Sequence, residues 1–387
     1  MSIGDLNDLF LISIVAVLAP ILVDIPRRIR IPVVVVELAG GILIGPYGLD
    51  WATENTLVVF LASFGLAMLF FMAGLELDFV RVRGRPLTLG VAGWLLSLGI
   101  AIGIAAGLQE AGFVVSAKFT GVALSTTAIG TLLPVLRDRG ELATPFGTLV
   151  MGAGVAGEFG PIVMISLLFG NSADRGVTTA LLAAFTLIAL AAALLALRAR
   201  PPRLVRVVEE TMEASGQLAV RGSILILIGL VYLASEFGLD VILGAFASGI
   251  VVGAMARGPE ARGFLAKMDA VAFGLLVPIF FISSGMGFDI GSVFTDSKVY
   301  LRLPVFLALF LFIRGVPTLF YSELTVRDKL GLAFYSATCL PLVVAITEIG
   351  VRTGNMHDYT ATALVGAAMV SVLTFPLLAK AVRPAAA

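Results

Sequence analysis

The chain alternates long apolar runs with short polar ones from end to end. Many of the apolar runs reach about 20 residues, enough for a helix to cross a hydrocarbon core of roughly 30 Å. In lipid the backbone must satisfy its own polar groups, so such runs read as helices and not as open sheet. Thirteen spans are predicted, at about 7–25, 32–48, 56–77, 86–108, 115–136, 145–170, 177–199, 217–236, 238–256, 270–287, 299–321, 328–351 and 359–381. The fold class expected is an all-α polytopic membrane protein.

The polar positions between the runs orient them. One set of alternate loops carries 19 Lys and Arg, in "PRRIR", "RVRGR", "RDR", "LRARPPRLVR" and further on, whereas the other set carries five. Positive charge stays inside, so the N-terminus is placed outside and the C-terminus in the cytoplasm. The pattern also repeats. "GVALSTTAIGTLLP" (121–134) opens like "GLAFYSATCLP" (331–341), the Phe pair of "FFMAGLELDF" recurs in "FFISSGMGFDI", and "GGILIG" recurs as "SGIVVG". These matches lie 208 to 210 positions apart, a distance that holds seven helices. Seven is odd, so the second copy lies upside down. Helices 1–6 pair with 8–13, and helix 7 (177–199) joins the copies, a plan known in secondary transporters. Helices 5 and 12, rich in hydroxyls and followed by proline, are expected to be broken.

Composition narrows the function. Of 387 residues, 59% are hydrophobic and 13% charged, against about 25% charged in soluble domains. Net charge is zero, so no nucleic-acid partner is expected; the lipid bilayer is. One cysteine, Cys339, and one histidine, His357, exclude an internal disulfide and a Cys/His metal cage. "MSIGDLNDLFLISIV" has no basic start and no small-residue cleavage site, so no removable signal is expected. No nucleophile or His-rich constellation suggests an enzyme, and no cofactor is expected.

Charges inside the runs are the candidate chemistry, because a carboxylate at a helix centre costs a few kcal/mol. Glu158 lies midway along "GAGVAGEFGPIVMISLLF". Gly157 before it admits a close neighbour, and Pro161 frees the carbonyl of Gly157 from its helical bond. A dehydrated monovalent cation wants oxygen ligands. Glu158 with Ser125, Thr126 and Thr127 could provide them, and Ser336 and Thr338 occupy the matching break. Arg314, in "FLFIRGVPTLF", needs either an anion or carbonyls. Glu37, in "VVVVELAGGIL", is a second-tier candidate, whereas Arg221 snorkels to the surface.

"VELAGGILIGPYGLD", "LFFMAGLELDF", "ALSTTAIGTLLPVLRDRG", "LGAFASGIVVG" and "VPIFFISSGMGFD" resemble the Kef/Nap-type branch of the monovalent cation:proton antiporters, over residues 10 to 380. The resemblance implies one sodium/hydrogen exchanger transmembrane domain over 1–387. Its dimer scaffold would comprise about 7–77 and 217–287, its moving core about 86–170 and 299–381, with helices 5 and 12 crossed. It implies a homodimer, elevator-type alternating access, a cation- and proton-binding acid at Glu158, a basic partner or gate at Arg314 and a hydroxyl motif at Ser125, Thr126 and Thr127. The family usually has a polar residue before the acid, where this chain has Gly157. No nucleotide-binding domain is expected after the last helix, and a separate cytoplasmic regulatory subunit is compatible with the chain. The function expected is exchange of Na+ or K+, with Li+ a third candidate, for H+ across the cell membrane. A single acid beside a permanent arginine charge gives one-for-one, electroneutral exchange. The alternatives are a cation leak or Kef-like potassium efflux protein, and an ion sensor that does not transport.

Overall fold

The computed structural model describes residues 3–24, 32–75, 84–129, 144–169, 217–256, 261–291 and 296–383, with scattered positions between 132 and 142 and between 181 and 191. All regular elements there are helical. The helices are α1 (Ile3–Asp24), α2 (Val33–Ile44), α3 (Thr56–Leu75), α4 (Arg85–Glu110), α5 (Ala117–Leu124) and α6 (Pro145–Phe169). The second half holds α7 (Leu218–Glu236), α8 (Val241–Met255), α9 (Ala261–Val271) and α10 (Val277–Met286). It ends with α11 (Ser297–Tyr300), α12 (Arg302–Gly315), α13 (Val326–Ala337), α14 (Pro341–Arg352) and α15 (Asp358–Val382). Among the described residues eight helical stretches are long and apolar enough to cross a membrane, and the bent pair α13–α14 makes a ninth when counted as one span. The predicted helix 7 falls almost wholly outside the described residues.

Polar residues start several of these helices. Asp240 accepts from Ile242 N (2.9 Å) at the head of α8, and Thr325 accepts from Asp328 N (3.2 Å) at the head of α13; each satisfies an amide that the first turn leaves free. The span predicted from residue 270 starts earlier. It enters as α9, "ARGFLAKMDAV", and runs through a wide π turn, Ala272–Leu276, into α10. Arg262, Lys267 and Asp269 on α9 kept this first stretch out of the apolar run.

The chain divides into two compact units: Met1–Leu9, Glu54–Leu77 and Ile165–Ser283 form one, and Phe10–Thr53, Asp78–Met164 and Ser284–Ala387 the other. In the first, α3 lies on α8 so closely that a side chain at Gly74 would strike the carbonyl of Phe246, with Ile250 N at 3.1 Å and Gly249 Cα at 3.2 Å. In the second, a side chain at Gly285 would strike the carbonyl of Leu38, with Gly41 Cα and Ile42 N at 3.1 Å. Leu38, Gly41 and Ile42 stand 208 positions before Phe246, Gly249 and Ile250. Small residues allow such backbone approach in membrane helices, and here the same contact is made in both units.

The second unit carries the candidate site. Its inner core packs Leu132, Phe146, Leu149, Val150, Tyr321, Leu332 and Tyr335 together. At one end of that core Arg383 binds Asp328 and also Glu141 (3.0 Å), while Arg139 binds Glu141 (2.8 Å). The end of α15 is thereby tied to the loop before α6 and to the start of α13. At the other end Arg302 lies between the rings of Phe113 and Tyr359, 4.2 and 4.8 Å from their centres, and donates to the carbonyls of Phe113 and Lys298.

Candidate functional site

Two breaks meet in the second unit. Helix α5 ends at Leu124, and residues 126–128 are unwound before helical structure resumes at Ile129. Helix α13 ends at Ala337 and α14 begins at Pro341, at an angle of 41°. The hydroxyls close parts of the first break locally. Ser125 Oγ donates to Val122 O (2.9 Å) and Thr126 Oγ1 to Ala123 O (2.8 Å). The freed amides then reach across. Ala128 N donates to Thr338 O (2.8 Å), so the two breaks exchange a backbone bond, and Thr127 N donates to Gly157 O (2.9 Å).

That last bond has a cause in α6. Pro161 lies inside the helix and has no N–H to offer the carbonyl four residues earlier. Gly157 O is therefore available, and the unwound Thr127 takes it. One residue on, Glu158 Oε2 accepts from Ile129 N at 3.0 Å. The acid thus holds the first amide past the break.

Arg314, at the end of α12, is 3% exposed. Its Nε donates to Thr127 Oγ1 (3.1 Å) and Ser336 O (3.3 Å), Nη1 to Ser97 Oγ (3.2 Å), and Nη2 to Ala153 O (3.1 Å). All four acceptors are neutral. Of the two partners expected from sequence, an anion or carbonyls, the carbonyls and hydroxyls hold it. Thr127 Oγ1 in turn donates to Ser336 O, so its proton is committed. Gly157 makes this arrangement possible: a Cβ there would lie 2.5 Å from both Arg314 Nη2 and Thr127 Oγ1.

The structure thus brings Ser125, Thr126, Thr127, Gly157, Glu158, Arg314, Ser336 and Thr338 to one crossover. Glu37 stands apart from this set: it is 4% exposed on α2, and no described hydrogen bond links it to them. Sequence reasoning missed Ser97 and the Ala153 carbonyl. A lone serine in "WLLSLGI" carries no signal that separates a ligand from a packing residue. It also missed Ser371, whose Oγ donates to Ala368 O (2.7 Å) and accepts from Cys339 N (3.2 Å), which supports the second break.

Helices fit to span a membrane, two of them broken and laced together beside a carboxylate and a buried guanidinium, define a polytopic membrane protein. The chain belongs to the sodium/hydrogen exchanger transmembrane family, whose model matches residues 13–380, and so to the monovalent cation:proton antiporter superfamily. It is 26% identical to the "Putative Na(+)/H(+) antiporter YjbQ" of Bacillus subtilis, over 98% of this chain and 63% of that protein. It is 27% identical to "Cation/H(+) antiporter 17" of Arabidopsis thaliana, over 96% of this chain and 48% of the plant protein. The chain therefore spans about half to three fifths of those two relatives. Against the "Na(+)/H(+)-K(+) antiporter GerN" of Bacillus cereus it is 24% identical, over 95% of each. In fold it matches the sodium proton antiporter MjNhaP1 of Methanocaldococcus jannaschii, with a TM-score of 0.71 at 16% identity, over 98% of this chain and 97% of that one.

Proposed function

We propose that this protein is a secondary active antiporter exchanging a monovalent cation, Na+ or K+ and on the same chemistry Li+, for H+ at Glu158. The observation that carries the reading is the place of Glu158: a membrane-embedded carboxylate bonded to the first amide past an unwound helix, in a chain matched almost throughout by the exchanger family. Backbone carbonyls and hydroxyl lone pairs at two broken helices are the oxygen ligands a dehydrated cation needs. Glu158 takes a proton or a cation in turn. An ionised, unliganded acid is expensive to move through the bilayer, so only the loaded site crosses, and exchange follows. Relatives named as Na+/H+ and Na+/H+-K+ antiporters support the choice of ions.

The finer architecture belongs to the same proposal. Thirteen spans, with six and six in inverted copies around helix 7, are supported by the contact made twice at Gly74 and Gly285. The charge count of 19 against five supports an outside N-terminus and a cytoplasmic C-terminus at the cell membrane. The core, about 86–170 and 299–381, moves as an elevator against the scaffold helices of a homodimer. Arg314 keeps its charge throughout because a guanidinium does not release its proton. One acid then exchanges one cation for one proton, and no net charge moves.

Proteoliposomes carrying a pH dye test this. On addition of Na+, K+ or Li+, wild type is expected to move protons and Glu158→Gln to be silent, and a valinomycin/potassium clamp should leave the rate unchanged. Strong dependence on membrane potential would overturn the one-for-one exchange. Silence of wild type with every ion would favour the ion sensor, a reading motivated by Gly157 standing where relatives place a polar ligand.

A further inference from the structure

Beside Arg314 lies a half-open cavity of about 10 Å³, whose lining includes Gly93, Trp94, Arg314, Thr318, Tyr321 and Ser336. Three features make it a built site. Trp94 is 8% exposed, and its indole Nε1 is buried with no hydrogen-bond partner among the described residues. The ring cannot turn away freely, because it lies against α6 so closely that a Cβ at Gly160 would run into it. Arg314 has five N–H groups, of which three find acceptors among the described residues, which leaves two.

Acceptors for a small guest are also present. Thr318 Oγ1 donates to Gly315 O at 2.7 Å and keeps its lone pairs. Tyr321 is buried, and its phenol both gives and takes hydrogen bonds. A buried water needs roughly 10–15 Å³ of such space and two to four polar partners. The cavity reaches the lower bound and has the partners. A bare or hydrated metal cation is excluded by the guanidinium and the indole N–H, both donors only.

We propose that this cavity is a one-water site: the water accepts from Trp94 Nε1–H and from Arg314, and donates to the hydroxyls of Thr318 and Tyr321. Its role is to complete the solvation of a guanidinium whose protein acceptors are all neutral. An unmet buried donor is costly, and one water relieves both groups. The inference is independent of the transport reading, since it concerns the arginine and not the acid.

Radiolytic hydroxyl-radical footprinting of the purified protein tests it, because radicals born on a bound water label its neighbours. After correction for intrinsic reactivity, Trp94 is expected to be modified much faster than Phe306 and Phe310, which are fully buried, at equal rates in chloride and in gluconate. Trp94→Phe keeps the ring and drops the N–H, and should lower modification of Tyr321 several-fold while leaving exposed Trp51 unchanged. Gly93→Ala, whose methyl lies 3.1 Å from Pro317 Cβ, should crowd the site and slow labelling of Trp94. Trp94 labelled as slowly as the two phenylalanines would make the cavity dry. Labelling suppressed by chloride would make the guest a small anion. Unchanged Tyr321 in the Trp94→Phe protein would remove the indole from the site. Each of these results overturns the proposal.

Discussion

At the scale of single residues the position that decides most is Gly157, which has no side chain at all. Arg314 Nη2 and Thr127 Oγ1 occupy the space where one would begin, each 2.5 Å from an added Cβ. The guanidinium is the end of a long side chain, yet it is pinned by four acceptors, so it has little room to yield. Overpacking of this kind costs typically 1–3 kcal/mol. Gly157→Ala is expected to lower the thermal transition by several degrees and to slow the proposed exchange, measured by light-scattering melts and the liposome assay. A variant as stable and as fast as wild type would mean that Arg314 moves aside at no cost. Glu158 was legible in the sequence because a carboxylate in an apolar run is costly and needs a reason. Gly157 was legible only as a missing ligand. That it makes room for Arg314 depends on a residue 157 positions away, and no local pattern carries that. Ser97 and Ala153 were illegible for the same reason.

At the scale of elements the crossover rests on one proline. Pro161 removes the N–H that would bond Gly157 O, and Thr127 N takes its place at 2.9 Å. The first half of this exchange is readable from the sequence, since the effect of proline on the carbonyl four residues back is local. The second half is not, because the recipient lies thirty positions upstream. Pro161→Ala restores a competing donor. Helix α6 should then recapture its carbonyl, and the Thr127 amide should lose its protection. Hydrogen exchange on peptides covering 125–129 is expected to speed up, with a slower exchange rate in liposomes despite a helix that gains a bond. Unchanged protection would mean that Thr127 holds the carbonyl against the helix. The motif spacing was likewise legible, while two close contacts that share its offset, Gly74 on Phe246 and Gly285 on Leu38, required the folded chain. The matched stretches share small residues but not charges: at the 210-residue offset Glu158 corresponds to Ala368, and at 208 Glu37 corresponds to Ala245. The shared positions build the fold, and the unshared ones carry the candidate chemistry.

At the scale of the whole molecule the proposed orientation is open to a direct test, because the chain contains a favourable tool for it. The only cysteine, Cys339, is fully buried in the second break, so a charged thiol reagent should find almost no background in wild type. Taken as one broken span, the helix pair α13–α14 runs from Val326 to Arg352. Arg327 is exposed at its start, and Asp358 is exposed at the head of α15. In the proposed orientation, with nineteen basic residues on the side of Arg327 against five on the side of Asp358, the first lies inside and the second outside. Asp358→Cys should therefore react with a membrane-impermeant maleimide on intact cells, and Arg327→Cys only after permeabilisation. Reaction of both on intact cells would break the single crossing between them and with it the odd number of spans. The reverse order would turn the molecule over while leaving the repeat intact, and Arg383 with its partners Glu141 and Asp328 would then face the outside. The two failures are distinct, so the experiment separates an error in counting helices from an error in orienting them.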